Sequence, residues 1–150
     1  MRSKLVFLIF TLAVVTIASA QTDKATYSTG YIQGSCAPWD GSAIAITLAT
    51  KPFQPKDRPK TPSLNINIWK DLPLHDGQTI NLTSTSGAGS AIRCVTEGKA
   101  CEVATSAEIH FDKFKAGSGA TGHYELQFKN GDSLSGDFAV KWVEVRMFCG

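Results

Sequence analysis

The chain has 150 residues, of which 43% are hydrophobic and 19% are charged, and its 15 Lys and Arg residues slightly outnumber its 13 Asp and Glu residues. Two of the cations, Arg2 and Lys4, lie in an N-terminal segment that we expect to be removed, which leaves 13 charges of each sign. A neutral chain of this length predicts one domain and provides no electrostatic basis for binding nucleic acid or an anionic membrane.

The first twenty residues contain the three parts of a secretory signal peptide. Arg2 and Lys4 form a charged start, an apolar run extends from Leu5 to Ile17, and small residues end the segment at Ala18-Ser19-Ala20. The apolar run is shorter than the roughly 20 residues that a spanning helix needs. We therefore expect cleavage after Ala20, a secreted or periplasmic protein, and no membrane span in the mature chain.

After the signal, residues 21–30 predict a flexible lead-in and residues 31–150 a single domain. Apolar and polar residues alternate in short runs such as residues 64–68, and no window has a helical 3.6-residue period. Turn dipeptides separate the runs, as at Asp76-Gly77 and Asn130-Gly131. Such a chain forms a sandwich or a small barrel. We predict an antiparallel β-sandwich, as in Ig domains, with about seven to nine short strands.

One hairpin permits a prediction of register. A two-residue turn at Asn130-Gly131 sets Leu126 opposite Ser135, whereas a three-residue loop over residues 129–131 sets Leu126 opposite Leu134. Matching apolar residues on one face determines register, so we predict the three-residue loop, with Gly131 left-handed. Beyond Trp142, which we expect in the core, the apolar alternation changes phase; a β-bulge or a strand buried on both faces explains the change.

The four cysteines are expected to form two disulfides, because an even number in an exported chain is typical of an oxidising compartment. Cys94 and Cys101 flank a short hairpin, so we pair them and assign the second bridge to Cys36 and Cys149. The alternative is a zinc site built from all four thiolates, but the usual paired short spacings are missing.

Two of the three histidines are weak candidates for a metal site. If the strands around Ile109 and Tyr124 are neighbours, their polar faces bring together a set of potential ligands: Glu108, His110, Asp112, His123 and Glu125. Imidazole and carboxylate groups bind zinc or copper. The alternative is an ordinary solvated sheet face, which we favour because no close His spacing defines a ligand geometry.

Two tryptophans are candidates for a binding surface. Trp39 lies in a turn after Cys36, and Trp69 falls on the polar side of its strand. An exposed Trp stacks on sugar rings or anchors a protein partner, and the alternative is that each ring packs in the core.

No catalytic or cofactor signature is present. The chain lacks a Gly-x-Ser-x-Gly motif, and the glycines of residues 117–122 have no following helix that would make them a dinucleotide fingerprint. We expect no enzyme activity and no cofactor. Asn81-Leu82-Thr83 is an N-glycosylation acceptor in a eukaryotic secretory route.

The stretch from Tyr31 to Cys36, followed by Asp40 to Leu48, resembles the opening hairpin of bacterial transthyretin-like or carboxypeptidase-regulatory-like sandwiches. The hairpin from Tyr124 to Phe138 is similar to hairpins of small exported bacterial proteins. These resemblances imply that the sandwich is of the Ig or transthyretin-like type, and they carry over no functional residue.

The sequence thus predicts an exported binding or interaction module whose partner is a carbohydrate or a protein at a cell surface. Two alternatives remain at this stage: a metal-binding or hydrolytic protein that uses the His110 and His123 face, and a structural protein of the envelope or matrix.

Overall fold

The computed structural model describes residues 26–55, 57–69, 73–96 and 99–149, so the predicted signal peptide, residues 1–20, lies outside the described residues. The described part of the chain is all-β and forms eight strands: β1 (Thr29–Cys36), β2 (Ser42–Ala49), β3 (Ser63–Ile68), β4 (Gln78–Thr83), β5 (Gly89–Thr96), β6 (Lys99–Lys115), β7 (Gly119–Phe128) and β8 (Ser133–Val143). The described residues include no helix of the length and apolarity that crossing a membrane requires.

The strands form one sheet that closes on itself, and the 17-residue strand β6 makes the closure. Its first residues pair with β5, whereas its later residues pair with β4 and with β7. The remaining neighbours follow in the order β5, β3, β2, β1, β8 and β7. Seven strands therefore make a barrel, and β4 is an additional strand paired to β6.

The predicted all-β class with about seven to nine strands is confirmed, but the structure has a closed barrel where we predicted a sandwich. The alternation of apolar and polar residues shows which side chains of a strand point inward. A sandwich and a barrel have the same alternation, so the sequence pattern does not distinguish the two architectures. The sheet is antiparallel, as the predicted class implies, except that β1 and β8 run parallel with Ile32 opposite Trp142. A ring with an odd number of strands cannot alternate direction throughout, so one parallel pair is required.

Inward-facing aliphatic and aromatic side chains fill the barrel. The largest fully buried ones are Tyr124, Phe111, Ile32, Ile46, Leu48, Leu64, Ile66, Ile68, Leu82, Ile109 and Leu126. Burying each such side chain contributes about 1.5–3 kcal/mol, which makes this interior the main stabilising feature. The interior is a packed core, so candidate sites are sought at the ends and on the outer faces of the barrel.

The register of the β7–β8 hairpin agrees with the prediction. Leu126 lies opposite Leu134, and Gly131 has a φ of 87°. The backbone N–H of Phe128 donates to the Asp132 carbonyl over 2.9 Å, which closes a loop of three residues, 129–131. Register followed from the sequence here because both apolar partners had to face the core.

The phase change after Trp142 has a different cause from the β-bulge or doubly buried strand that we expected. Strand β8 ends at Val143, and residues 144–149 continue without strand pairing. The register shifts of the sheet lie between β6 and β7, from Ala104 to Ser106 and from Phe111 to Lys113. Trp142 itself packs against the core while remaining partly exposed.

Two segments outside the strands, the predicted flexible lead-in and the proline-rich connection between β2 and β3, cover parts of the barrel. Tyr27, in the predicted lead-in, is buried, and its carbonyl accepts a hydrogen bond of 3.1 Å from the Tyr124 hydroxyl. The proline-rich connection after β2 folds back so that Phe53 contacts Tyr31, with ring centroids 5.6 Å apart. Thr47 of β2 is buried although its side chain points away from the core.

Both disulfides pair as predicted. Cys94 and Cys101 face each other across β5 and β6 with their Cα atoms 4.1 Å apart, and Cys36 at the end of β1 is joined to Cys149. All four thiols are thereby used, so the four-thiolate zinc alternative is wrong. Two disulfides indicate an oxidising compartment.

Candidate functional site

One end of the barrel gathers several connections, and we call it the tethered end: residues 37–41, 73–77, 116–118 and 144–149. The bridge between Cys36 and Cys149 fastens the C-terminal segment to this end. Asp76 fastens a second segment, because its carboxylate accepts a 2.7 Å hydrogen bond from the Phe114 backbone N–H and lies 3.3 Å from Lys113 Nζ. These two hydrogen bonds, led by the one from Phe114, lower the pKa of Asp76.

The structure brings Trp39 and Trp69 together at this end. Residues 37–41 form a tight turn in which the Ala37 N–H donates to the Gly41 carbonyl over 2.8 Å, and Asp40 has a φ of 63°. This turn directs Trp39 outward, with 58% of its surface exposed. Trp69 follows the last residue of β3, and the two rings contact edge to face with centroids 5.9 Å apart. Sequence reasoning had placed each tryptophan separately.

The C-terminal segment adds apolar side chains that sequence reasoning missed. Phe148 is 92% exposed, and Val145 and Met147 are also exposed. With Trp39 they make four of the six exposed large hydrophobic side chains in the described part of the chain. We call these four residues the apolar patch. The sequence offered no signal for it, because alternating apolar residues after Trp142 also predict a buried strand.

The disulfide between Cys36 and Cys149 restrains the two segments that carry the apolar patch. Phe148 directly precedes Cys149, and Trp39 follows Cys36 by three residues, so the disulfide joins the two segments that carry the patch. The Cα atoms of the bridged cysteines are 5.6 Å apart. A covalent constraint of this kind lowers the conformational entropy that a segment loses on binding.

A cleft of about 500 Å³ opens beneath the C-terminal segment. Its walls are mostly apolar and include Ile44, Leu74, Phe114, Trp142 and Met147. Apolar clefts of this size commonly receive a small ligand or a partner's side chain. The tethered end therefore offers both a protruding patch and an adjoining recess.

The predicted polar face also exists, on the outside of β6 and β7. Ile109 pairs with Tyr124, which places His110 directly opposite His123 and Glu108 opposite Glu125. The two imidazole rings stack with centroids 4.8 Å apart and an angle of 25° between their planes. Asp137 of β8, which sequence reasoning missed, lies opposite His123. We call Glu108, His110, Asp112, His123, Glu125 and Asp137 the histidine face.

Hydrogen bonding orients His110 within this face. Its Nδ1 lies 2.8 Å from the Thr79 hydroxyl on β4, and its Nε2 lies 3.6 Å from an oxygen of Asp112. No group of three or more His, Cys, Asp or Glu side chains in the described ranges has the arrangement of a metal centre. Asn81, the glycosylation acceptor, is exposed on β4 beside Glu108.

Comparison of the chain with protein-family models, with curated proteins and with solved structures finds no significant match. Its function is therefore inferred from its own residues and their geometry.

Proposed function

We propose that this protein is an exported binding module that uses the apolar patch at the tethered end to bind another protein. One observation carries the proposal: four of the six exposed large hydrophobic side chains of the described residues lie on two segments that a disulfide joins. Contiguous exposed apolar surface is uncommon in soluble proteins and marks interaction sites.

The residue types in the patch support a protein partner. Trp39, Met147 and Phe148 belong to the classes enriched in the cores of protein interfaces, where a few aromatic anchors supply most of the binding free energy. Trp69 supports Trp39 from the side, so part of the ordering of that ring is complete before binding. The remaining two exposed residues, Val95 and Val103, lie on β5 and β6, away from the tethered end.

Export is part of this proposal. The predicted signal peptide with cleavage after Ala20 and the predicted periplasmic or extracellular location agree with two disulfides, which persist in oxidising compartments. The partner would then be a protein of the cell surface, the envelope or the extracellular space.

Site-specific photo-cross-linking tests the proposal. A benzophenone amino acid replaces Phe148 in the protein expressed in its own cells, and the matched control carries it at Val103, which is also exposed. We expect a discrete cross-linked protein from position 148 and not from position 103. The same products from both positions, or none from position 148, would contradict the proposal.

Purified components then measure the contribution of the patch. We expect Trp39→Ala and Phe148→Ala each to weaken binding of the cross-linked partner at least tenfold, as for anchor residues. The control Val103→Ala should change affinity less than twofold. Circular dichroism and thermal unfolding of each variant show whether it is folded, so that lost binding is not mistaken for lost structure.

A carbohydrate partner is the second candidate, and the observation that favours it is the carboxylate of Asp40 directly after the exposed ring of Trp39. An aromatic face stacks on a sugar ring while a carboxylate accepts hydrogen bonds from its hydroxyls. A glycan array discriminates the two candidates: oligosaccharide binding that Trp39→Ala and Asp40→Ala abolish but Phe148→Ala does not would favour carbohydrate.

A further inference from the structure

We propose that the histidine face binds one divalent transition-metal ion, such as Zn²⁺, Ni²⁺ or Cu²⁺, and that the two imidazoles of His110 and His123 are its protein ligands. Imidazole nitrogen suits all three ions. This proposal is independent of the apolar patch, because the histidine face lies on the outside of β6 and β7 and the patch lies at the tethered end.

Ladder geometry brings the two rings within chelating distance. His110 and His123 are direct partners in the β6–β7 pairing, and their ring centroids are 4.8 Å apart. Two nitrogens that each lie about 2.1 Å from one tetrahedral ion are about 3.4 Å apart. His110 is half-buried and His123 is exposed, so both rings have room to rotate about their side-chain torsions toward one ion.

The hydrogen bond between Thr79 and Nδ1 of His110 leaves Nε2 of the same ring available to bind a metal ion. When Nδ1–H donates to the Thr79 hydroxyl oxygen, 2.8 Å away, Nε2 carries the lone pair that a metal needs. Metal-bound histidines usually make such a bond with their other ring nitrogen, which fixes the tautomer and the ring orientation. Asp112, 3.6 Å from Nε2, lies where its carboxylate can hold a water molecule on the ion.

Charge around the two rings favours a cation. Glu108 lies directly opposite Glu125, and Asp137 lies opposite His123. Like charges at directly opposed positions destabilise an antiparallel pair. No Lys or Arg occupies the two ladder rows that contain these residues: Asn81, Glu108, Glu125 and Ser135 in one, and Thr79, His110, His123 and Asp137 in the other. A bound divalent ion offsets this repulsion, which explains why an unfavourable pair sits beside the histidines.

Isothermal titration of the untagged protein with ZnCl₂ and, separately, with NiCl₂ tests the proposal. We expect one ion per chain, and at least a tenfold loss of affinity in both His110→Gln and His123→Gln. The matched control is His75→Gln, since His75 is exposed and lies on the connection between β3 and β4. An unchanged affinity in His110→Gln, or an equal loss in His75→Gln, would overturn the proposal.

Two further variants separate a metal site from a merely structural polar face. Glu125→Gln removes the like-charge pair, so we expect it to raise the melting temperature of the metal-free protein and to weaken Zn²⁺ binding severalfold. Thr79→Val should weaken binding while leaving the stoichiometry at one ion. Phe148→Ala should leave Zn²⁺ affinity unchanged, so failure of the metal site and failure of the binding patch are distinguishable. If Glu125→Gln raises Zn²⁺ affinity, the electrostatic argument is wrong.

Discussion

Gly136 faces Tyr124 across the β7–β8 ladder, and the Tyr124 hydroxyl occupies the space that a side chain at position 136 would fill. A Cβ at position 136 would lie 2.6 Å from that hydroxyl oxygen. The tyrosine is 1% exposed, and its hydroxyl donates to the Tyr27 carbonyl. Because Gly136 has no side chain, the Tyr124 ring can extend past β8. Its hydroxyl then binds Tyr27, in the segment that precedes β1.

Gly136→Ala should destabilise the protein, because the new methyl group forces Tyr124 or its strand to move. Overpacking of a core costs about 1–3 kcal/mol, and the lower backbone entropy of alanine in the unfolded chain returns a part of it. We expect a net loss of about 1–2 kcal/mol, measured by urea denaturation.

Tyr124→Phe provides the matched background for that substitution. It removes the hydroxyl that the new Cβ approaches, so Gly136→Ala should cost less in Tyr124→Phe than in the wild type. Alone, Tyr124→Phe should lose about 1 kcal/mol through its missing hydrogen bond. Strictly additive effects in this double-mutant cycle would show that the hydroxyl and position 136 do not interact.

Alkaline pH should destabilise the fold through the same tyrosine. Burial raises the pKa of Tyr124 to about 12 from an ordinary value of 10.0, and it also raises the pKa of Tyr27. Because the fold favours the neutral phenol, its contribution is complete below pH 10 and is lost as pH rises from 10 to about 12. A shift of this size corresponds to about 2–3 kcal/mol at most.

Urea midpoints measured from pH 8 to pH 11 test this dependence. We expect the wild type to lose stability above pH 10 and Tyr124→Phe to lose clearly less. Parallel pH profiles for the two proteins would mean that other groups cause the alkaline loss.

Arg93 should contribute to stability at the end of the barrel opposite the tethered end. Its Nη2 lies 2.7 Å from Oε2 of Glu102 and 3.3 Å from Oδ2 of Asp132. Its Cζ lies 4.0 Å from the centroid of the Phe128 ring. Arg93→Ala loses two charge-assisted contacts, a cation–π contact and the packing of the stem, and partial exposure reduces the total to about 2 kcal/mol.

A conservative variant at position 93 and a control variant at a distant arginine show how much of the lost stability depends on the guanidinium group of Arg93. Arg93→Lys keeps the charge but loses the planar group, so we expect it to lose about half as much stability as Arg93→Ala. Arg58→Ala, in the exposed proline-rich connection, should change stability by less than about 0.5 kcal/mol. Equal effects at positions 93 and 58 in thermal unfolding would contradict this role.

The two disulfides should differ in their contribution to stability. The bridged cysteines are 113 positions apart in one disulfide and 7 positions apart in the other. In the chain-entropy model the longer loop contributes about 4.8 kcal/mol and the shorter about 2.5 kcal/mol. We therefore expect the double variant Cys36→Ser with Cys149→Ser to be less stable than Cys94→Ser with Cys101→Ser in guanidinium denaturation without reductant. The reverse order would show that native-state packing outweighs loop closure.

Local patterns succeeded where the alternatives differed in which side chains face the core. The register of Leu126 and Leu134 followed from face matching, and the pairing of Cys94 with Cys101 followed from their positions on one hairpin. Assigning that pair left Cys36 and Cys149 for the other bridge. The candidate sites followed less completely: His110 and His123 were predicted on one face, whereas the contact between Trp39 and Trp69 was not predicted.

The sequence by itself determined the all-β class, the inward faces of the strands, one hairpin register and the cysteine pairing, because alternation and short-range turns act within a few neighbouring residues. The tertiary structure alone decided that the sheet closes, that β1 and β8 run parallel, and that Trp39 contacts Trp69. The first two of these features depend on the pairing of β6 with three other strands and on contacts between residues more than a hundred positions apart. Inward and outward alternation is the same in an open and a closed sheet, so it carries no information about closure.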